Sequence, residues 1–288
     1  MKYMAIFRWL FRCPILVYPL VILFAACNFF GFAQEKESYQ KPPHVPENVW
    51  NEAKPYFLPE DHPIKKRLDL LFGHARLLNS LDTMRQAGFR IIEAESELDV
   101  AFHPDLPNYV IKFYLDDHDN QPRFAKLKLS DPYISEVRLW LLRIEGAKRI
   151  QKILDAHHYN AIMKVPKEWI YPLPLKPEAT GPFPKYFILV EEDMHIVDNQ
   201  ENIRKYREDM TPALLKAFYT VLKEGHLYDS VYIDNNPFSY DGRIAFVDTE
   251  EYDRKPVPFE KILPYLSPDM QNYWRTLMRE DQLQSLSN

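Results

Sequence analysis

The sequence predicts an α+β protein in which a five-stranded antiparallel sheet is followed by a mostly helical region. Five short runs of β-branched and aromatic residues lie between residues 89 and 190, and their length and composition are typical of strands. A long run with helical periodicity separates the third strand from the fourth, and helical periodicity dominates beyond residue 191. The chain of 288 residues is 46% apolar and 27% charged, which is typical of a folded globular protein.

The amino terminus has the composition of an export signal. Three basic residues lie within the first twelve positions, and an uncharged, mostly apolar run follows from Cys13 to Ala33; this order is typical of a secretory leader. We expect cleavage after Ala33, or after residue 26 if Phe24 to Cys27, which resembles a bacterial lipobox, directs lipidation of Cys27. The third interpretation is an uncleaved anchor, since 21 residues can span a bilayer. Each predicts an extracytoplasmic protein, secreted or membrane-anchored.

Composition excludes several classes of function. Without residues 1–33 the net charge falls from -5 to -8, and an acidic chain is a poor nucleic-acid binder because phosphate contacts need Lys and Arg. Both cysteines lie in the leader, so the exported part has no disulfide and no thiolate metal site. The seven glycines all lie more than ten residues apart, which excludes the Rossmann fingerprint, the P-loop and the nucleophile elbow.

The exported part divides into a linker and a folded domain. Residues 34–60 are polar and rich in proline, so we predict an extended tether. Apolar periodicity predicts two helices over residues 62–84 with a break near Gly73, and Gly88 ends the second. The remaining elements are strands at 89–92, 98–102 and 109–114, a long helix from Pro132, strands at 168–171 and 186–190, a helix at 211–224, short strands around Ile233 and at 244–247, and a last helix at 269–282.

The densest group of chemically able side chains lies between residues 225 and 250. Asp248 ends the predicted strand at 244–247, and Asn235 and Asn236 lie on the preceding loop. Carboxylate and amide oxygens are ligands that Mg²⁺ accepts, and Asp229 lies upstream where a base could act. The alternative is a solvated hairpin turn with capping acids, since Asp-Gly between strands is a common hairpin signal.

The order of these elements resembles the catalytic core of the protein-kinase-like superfamily. A helix, His226 and Asp229 in an H-x-x-D spacing, an Asn, a hairpin and then Asp248 follow one another as in H-R-D-x-x-x-x-N and D-F-G. Residues 109–112 look like the V-A-I-K strand, and residues 187–194 look like the fifth strand and hinge. The similarity covers roughly residues 87–265. It implies a two-lobed kinase-like domain at 61–288, with an amino lobe of about 61–190 and a reduced, helical carboxy lobe of about 191–288.

The resemblance implies a site for ATP and Mg²⁺. Lys112 would bind the nucleotide phosphates, and Glu136 or Glu145 would hold Lys112. Asp248 would bind Mg²⁺ together with Asn235 or Asn236, and Asp229 would act as the base. For His226 we expect a structural role.

Departures from the kinase pattern divide the functional hypotheses. The chain has no glycine-rich loop, three acids occupy the turn at residues 93–97, and only 40 residues follow Asp248. ATP is also scarce outside the cytoplasm. The sequence therefore predicts an exported kinase-like protein, either an inactive nucleotide-binding or interaction module or a divergent phosphotransferase. The alternative from another class is an envelope module without nucleotide binding, whose aromatic-rich surface contacts a protein partner.

Overall fold

The computed structural model describes residues 39–93, 98–120 and 132–287. The predicted leader and the acidic turn beyond Glu93 lie outside these residues. Within the described part of the chain, no helix combines the length and the apolar character needed to cross a membrane.

The predicted α+β class and its five-stranded antiparallel sheet are confirmed. The sheet has the strand order β1-β2-β3-β6-β5, with every neighbouring pair antiparallel. A separate pair, β4 and β7, runs parallel. The strands are β1 (Arg90–Ile92), β2 (Asp99–Phe102), β3 (Tyr109–Phe113), β4 (Met163–Lys164), β5 (Glu168–Pro172), β6 (Phe187–Glu192) and β7 (Ile244–Ala245).

Seven α-helices are described, and the long one lies where the sequence predicts it. They are α1 (Glu47–Ala53), α2 (Lys65–His74), α3 (Leu81–Gln86), α4 (Pro132–His157), α5 (Asn199–Glu208), α6 (Pro212–Gly225) and α7 (Pro268–Ser287). Helix α6 begins after Thr211, whose hydroxyl accepts a hydrogen bond from the Leu214 amide at 3.2 Å; this is ordinary N-capping. His226 ends α6 in the left-handed conformation at φ +48°, which agrees with a structural role.

Both faces of the sheet are buried at β6, which explains the continuous apolar run in that strand. Helices α2 and α3 cover one face, where Ile111 and Phe113 of β3 join their apolar side chains. Helices α1 and α4 cover part of the other face, where Trp140 of α4 packs against Leu189. Because successive residues of a strand point to opposite faces, Lys112 lies on the α4 side of the sheet.

A second core lies among the carboxy-terminal elements. Its apolar side chains come from α6, α7 and the second half of α4, and they surround the fully buried Trp274 and Phe246. Strand β7 is therefore buried between this core and β4. After β7 the chain continues through Phe246 to Asp248.

The expected extended tether is replaced by packed structure from residue 39 onward. Helix α1 buries Val49, Trp50 and Ala53, which share one helical face at spacings of one, three and four residues. Beyond it, the Leu58 amide donates to the Ile170 carbonyl at 2.9 Å, so this segment extends the edge of the sheet at β5. The high proline content of this segment favoured an extended tether, although Val49, Trp50 and Ala53 form an apolar helical face.

The prediction of strands around Ile233 and of a regular hairpin is also wrong. Residues Ile233–Asn235 form a 3₁₀ turn, because the Asn235 side-chain amide donates to the Asp229 carbonyl at 3.0 Å and stabilises a compact turn. Strand β7 pairs with β4 in parallel, and only a single bridge between Phe238 and Ile244 remains of the expected hairpin.

Candidate functional site

A cleft of about 310 Å³ lies between the β1–β3 end of the sheet and the segment that follows β7. Its volume is at the lower end of the range for small-molecule sites, roughly 300–1,000 Å³. The apolar lining side chains are Ile92, Leu98, Val100, Phe102, Val110, Met194, Ile196 and Val247, and the polar ones are Lys112, Arg143, Glu191, Asp193, Asp234, Asn235 and Asp248. A wider recess of about 920 Å³ adjoins the cleft and shares four lining residues with it.

Lys112 lies at the back of the cleft with its charge already compensated. Its ammonium group is 2.9 Å from Glu191 Oε2, and it donates a hydrogen bond to the Val247 carbonyl at 2.7 Å. Both side chains of the ion pair are almost fully buried. The β3–β6 register explains the pair, since Lys112 lies opposite Leu189 and Val110 lies opposite Glu191, which leaves Lys112 and Glu191 as diagonal neighbours.

Arg143 of α4 compensates the acids on the other side of the cleft. Its Nη2 atom is 3.2 Å from Asp248 Oδ1 and also forms an ion pair with Glu250. The guanidinium is buried, whereas about a third of the Asp248 side chain is exposed. The two cations that line the cleft, Lys112 and Arg143, are therefore both paired with carboxylates of the same chain.

A close contact between backbones holds Arg143 in this position. A β-carbon on Gly146 would lie only 1.8 Å from the Thr249 carbonyl oxygen, so α4 and the segment after β7 approach closely because residue 146 lacks a side chain. The Thr249 hydroxyl donates to the Arg143 carbonyl at 2.7 Å. Gly146 and Thr249 thus fix α4 against the segment that carries Asp248.

A pair of buried carboxyl groups lies behind Lys112. Glu168 of β5 is directly opposite Glu191 of β6 in the sheet. Burial, and then the neighbouring Glu191 carboxylate, raise the pKa of Glu168 to about 8. At neutral pH we expect Glu168 to be protonated while Glu191 carries the charge that pairs with Lys112.

Asp234, Asn235 and Asp248 lie on the side of the cleft opposite the sheet. The Val247 amide donates to the Asn235 carbonyl at 3.0 Å, which keeps the 3₁₀ turn beside the segment that ends in Asp248. Asp234 is exposed. Lys112, Asn235 and Asp248, three of the residues predicted from the sequence, all line this cleft.

Two other predicted residues lie elsewhere. Asp229 is not among the described residues that line the cleft; its carboxyl group contacts Glu251, and burial and then Asp229 raise the pKa of Glu251 to about 7. Asn236 is fully buried, and its side-chain amide donates to the carbonyls of Ser230 and Tyr232. Asp229 is therefore not positioned in the cleft as a base, and Asn236 supports the turn from inside.

The two glutamates predicted to hold Lys112 do not contact it. Glu136 is buried near Lys185, its carboxylate accepts from the Tyr186 amide at 3.4 Å, and burial raises its pKa to about 7. Glu136 shares the helical face of Arg143 but lies seven residues earlier in α4, about 10 Å away along the helix axis. Glu145 accepts a hydrogen bond from the Tyr252 hydroxyl at 2.8 Å; two residues along a helix correspond to about 200°, so it faces away from the cleft.

Sequence reasoning missed Arg143, Glu191 and Glu168, although a signal exists for one of them. Arg143 follows Trp140 by three residues and precedes Ala147 by four, so it occupies the apolar stripe of α4. A charged residue at a core position needs a buried partner. Glu191 and Glu168 give no comparable signal, because acids at strand ends are usually solvated.

Two of the side chains that the resemblance assigns to nucleotide and Mg²⁺ form ion pairs within the chain. Among the residues that the structure describes, no group of three or more His, Cys, Asp or Glu side chains could hold a metal ion. Asp248 is paired with Arg143, and Lys112 is paired with Glu191.

Comparison with protein-family models, curated proteins and solved structures gives no match for this chain.

Proposed function

We propose that this protein is an exported kinase-like binding module that does not catalyse phosphoryl transfer. The order of elements supports the kinase-like interpretation: a five-stranded antiparallel sheet, a long helix against it, and a mostly helical region after β6. The cleft that contains Lys112, Asn235 and Asp248 lies where the resemblance expects a ligand site.

One observation carries the proposal that the module is inactive. Asp248, which the resemblance assigns to Mg²⁺, is held by an ion pair with Arg143 of the same chain. A metal cation would have to compete with Arg143 for Asp248, whereas the pairing of Lys112 with Glu191 is compatible with a nucleotide, since a kinase-type lysine is itself held by a glutamate. The candidate base Asp229 contacts Glu251 instead of lining the cleft, which further weakens the case for catalysis.

Thermal unfolding with and without nucleotide tests this proposal, because a ligand that binds the native state must stabilise it. We expect millimolar ATP or ADP with Mg²⁺ to leave the Tm of the wild-type chain unchanged. A rise of several degrees in the wild type that Asp248→Asn abolishes would favour the divergent phosphotransferase instead.

Export is part of the proposal and rests on the basic and apolar amino-terminal sequence. We expect the mature protein to lack residues 1–33, or residues 1–26 with a lipid on Cys27. The intact mass of the protein purified from its native host distinguishes the two. A mass equal to the full chain would contradict cleavage and favour the uncleaved anchor.

A further inference from the structure

The cleft carries more negative than positive charge. Four carboxylates line it, from Glu191, Asp193, Asp234 and Asp248, against two cations. Lys112 is neutralised by Glu191, and Arg143 is shared between Asp248 and Glu250. Of these cleft carboxylates, Asp234 is exposed and forms no ion pair within the described residues.

The remaining lining is apolar and lies mainly on the sheet side. Val100, Phe102 and Val110 of strands β2 and β3 form one wall, and Val247 lies across the cleft from them. Such a lining gains free energy by covering apolar groups, about 25 cal/mol per Å² of surface removed from water. A complementary ligand therefore has an apolar body and a positive charge.

We propose that this cleft binds a small amphipathic amine. The apolar body of the ligand packs against Phe102 and Val110, and its ammonium group lies beside Asp234, the exposed cleft carboxylate that forms no ion pair within the described residues. The hydrogen bond from the Val247 amide to the Asn235 carbonyl keeps the turn that carries Asp234 beside the segment after β7. This inference rests on the proposed function, because a nucleotide would occupy the same cleft.

A series of three probes with one aromatic body tests the charge preference. They are 2-phenylethylamine, 2-phenylethanol and 3-phenylpropionate, titrated into the full wild-type chain at neutral pH and followed by NMR. We expect the amine to bind about fivefold more tightly than the alcohol, which is the upper range for partly exposed ion pairs, and the carboxylate to bind more weakly than both. Equal affinities for amine and alcohol would overturn the proposal.

Matched variants locate the binding charge. Asp234→Asn should reduce the affinity for the amine by about fivefold and leave the affinity for the alcohol unchanged. Glu280→Gln removes the same charge from the exposed face of α7 and should change neither affinity. If Asp234→Asn binds the amine as Glu280→Gln does, the ammonium does not lie at this carboxylate and the proposal fails.

The same titrations separate this inference from the proposed function. Loss of the amine preference with no response to ATP and Mg²⁺ would contradict only the amine ligand. Turnover of ATP, measured on the same samples, would contradict the proposed function itself.

Discussion

The close approach of α4 to Thr249 predicts opposite effects for the same substitution in two helices. Glycine in a helix interior costs about 1 kcal/mol relative to alanine, so Gly→Ala stabilises a helix wherever a methyl group has room. At Gly73 in α2, nothing lies within 4 Å of an added β-carbon. We therefore expect Gly73→Ala to raise the free energy of unfolding by roughly 0.5 kcal/mol, since this residue is close to the helix end.

At Gly146 the same methyl group would lie 1.8 Å from a backbone oxygen. Backbone cannot turn aside as a flexible side chain can, so α4 or the Thr249 segment must move by about an ångström. Overpacking of this kind costs about 1–3 kcal/mol, and the movement also weakens the pairing of Arg143 with Asp248. We expect Gly146→Ala to lower the free energy of unfolding by about 2 kcal/mol in urea titrations followed by circular dichroism. Stabilisation equal to that of Gly73→Ala would show that the two backbones are not in contact.

Two further predictions concern the buried charges behind the cleft. Lys112→Met should lower the free energy of unfolding by about 3 kcal/mol, because it leaves the Glu191 charge buried without a partner. The double variant Lys112→Met with Glu191→Gln should recover at least half of that loss. As a control, Lys66→Met at an exposed position should cost less than about 0.5 kcal/mol. If the losses of the two single variants simply add in the double variant, the ion pair is refuted. For Glu168, the raised pKa of about 8 means that the folded chain keeps a proton that the unfolded chain releases above its ordinary pKa of 4.5. Wild-type stability should therefore fall as the pH rises from 4.5 to 8; Glu168→Gln should flatten this fall, and an unchanged pH profile would contradict a protonated Glu168.

Local signals in the sequence were sufficient for most of the sheet and for the long helices. β-branched and aromatic runs marked the five strands, because a strand buried on one or both faces needs such side chains along its length. The apolar stripe that includes Trp140 and Ile144 marked α4. Helix α5 was missed although Asp198 caps it and its side chain accepts from the Glu201 amide at 2.9 Å, because its surface is mostly charged and gives little apolar periodicity.

Only part of the site could be inferred in the same way. Asp248 was found because it ends a predicted apolar strand, and Lys112 was found because residues 109–112 resemble the V-A-I-K strand of kinases. Their partners were predicted wrongly because pairing depends on tertiary geometry: strand register brings Glu191 to Lys112, and the missing side chain of Gly146 lets Arg143 reach Asp248. The sequence contains both residues, but spacing along the chain does not indicate which charges meet.

Turnover of ATP by the full chain tests the central claim most directly. The wild type and the variants Lys112→Met and Asp248→Asn are incubated with Mg²⁺ and ATP labelled in the γ-phosphate, and release or transfer of that phosphate is followed over hours. The ion pair that holds Asp248 to Arg143, together with the position of Asp229 beside Glu251, predicts that the wild type is no faster than either variant or the protein-free control. Transfer by the wild type that both substitutions abolish would contradict an inactive module and identify a phosphotransferase.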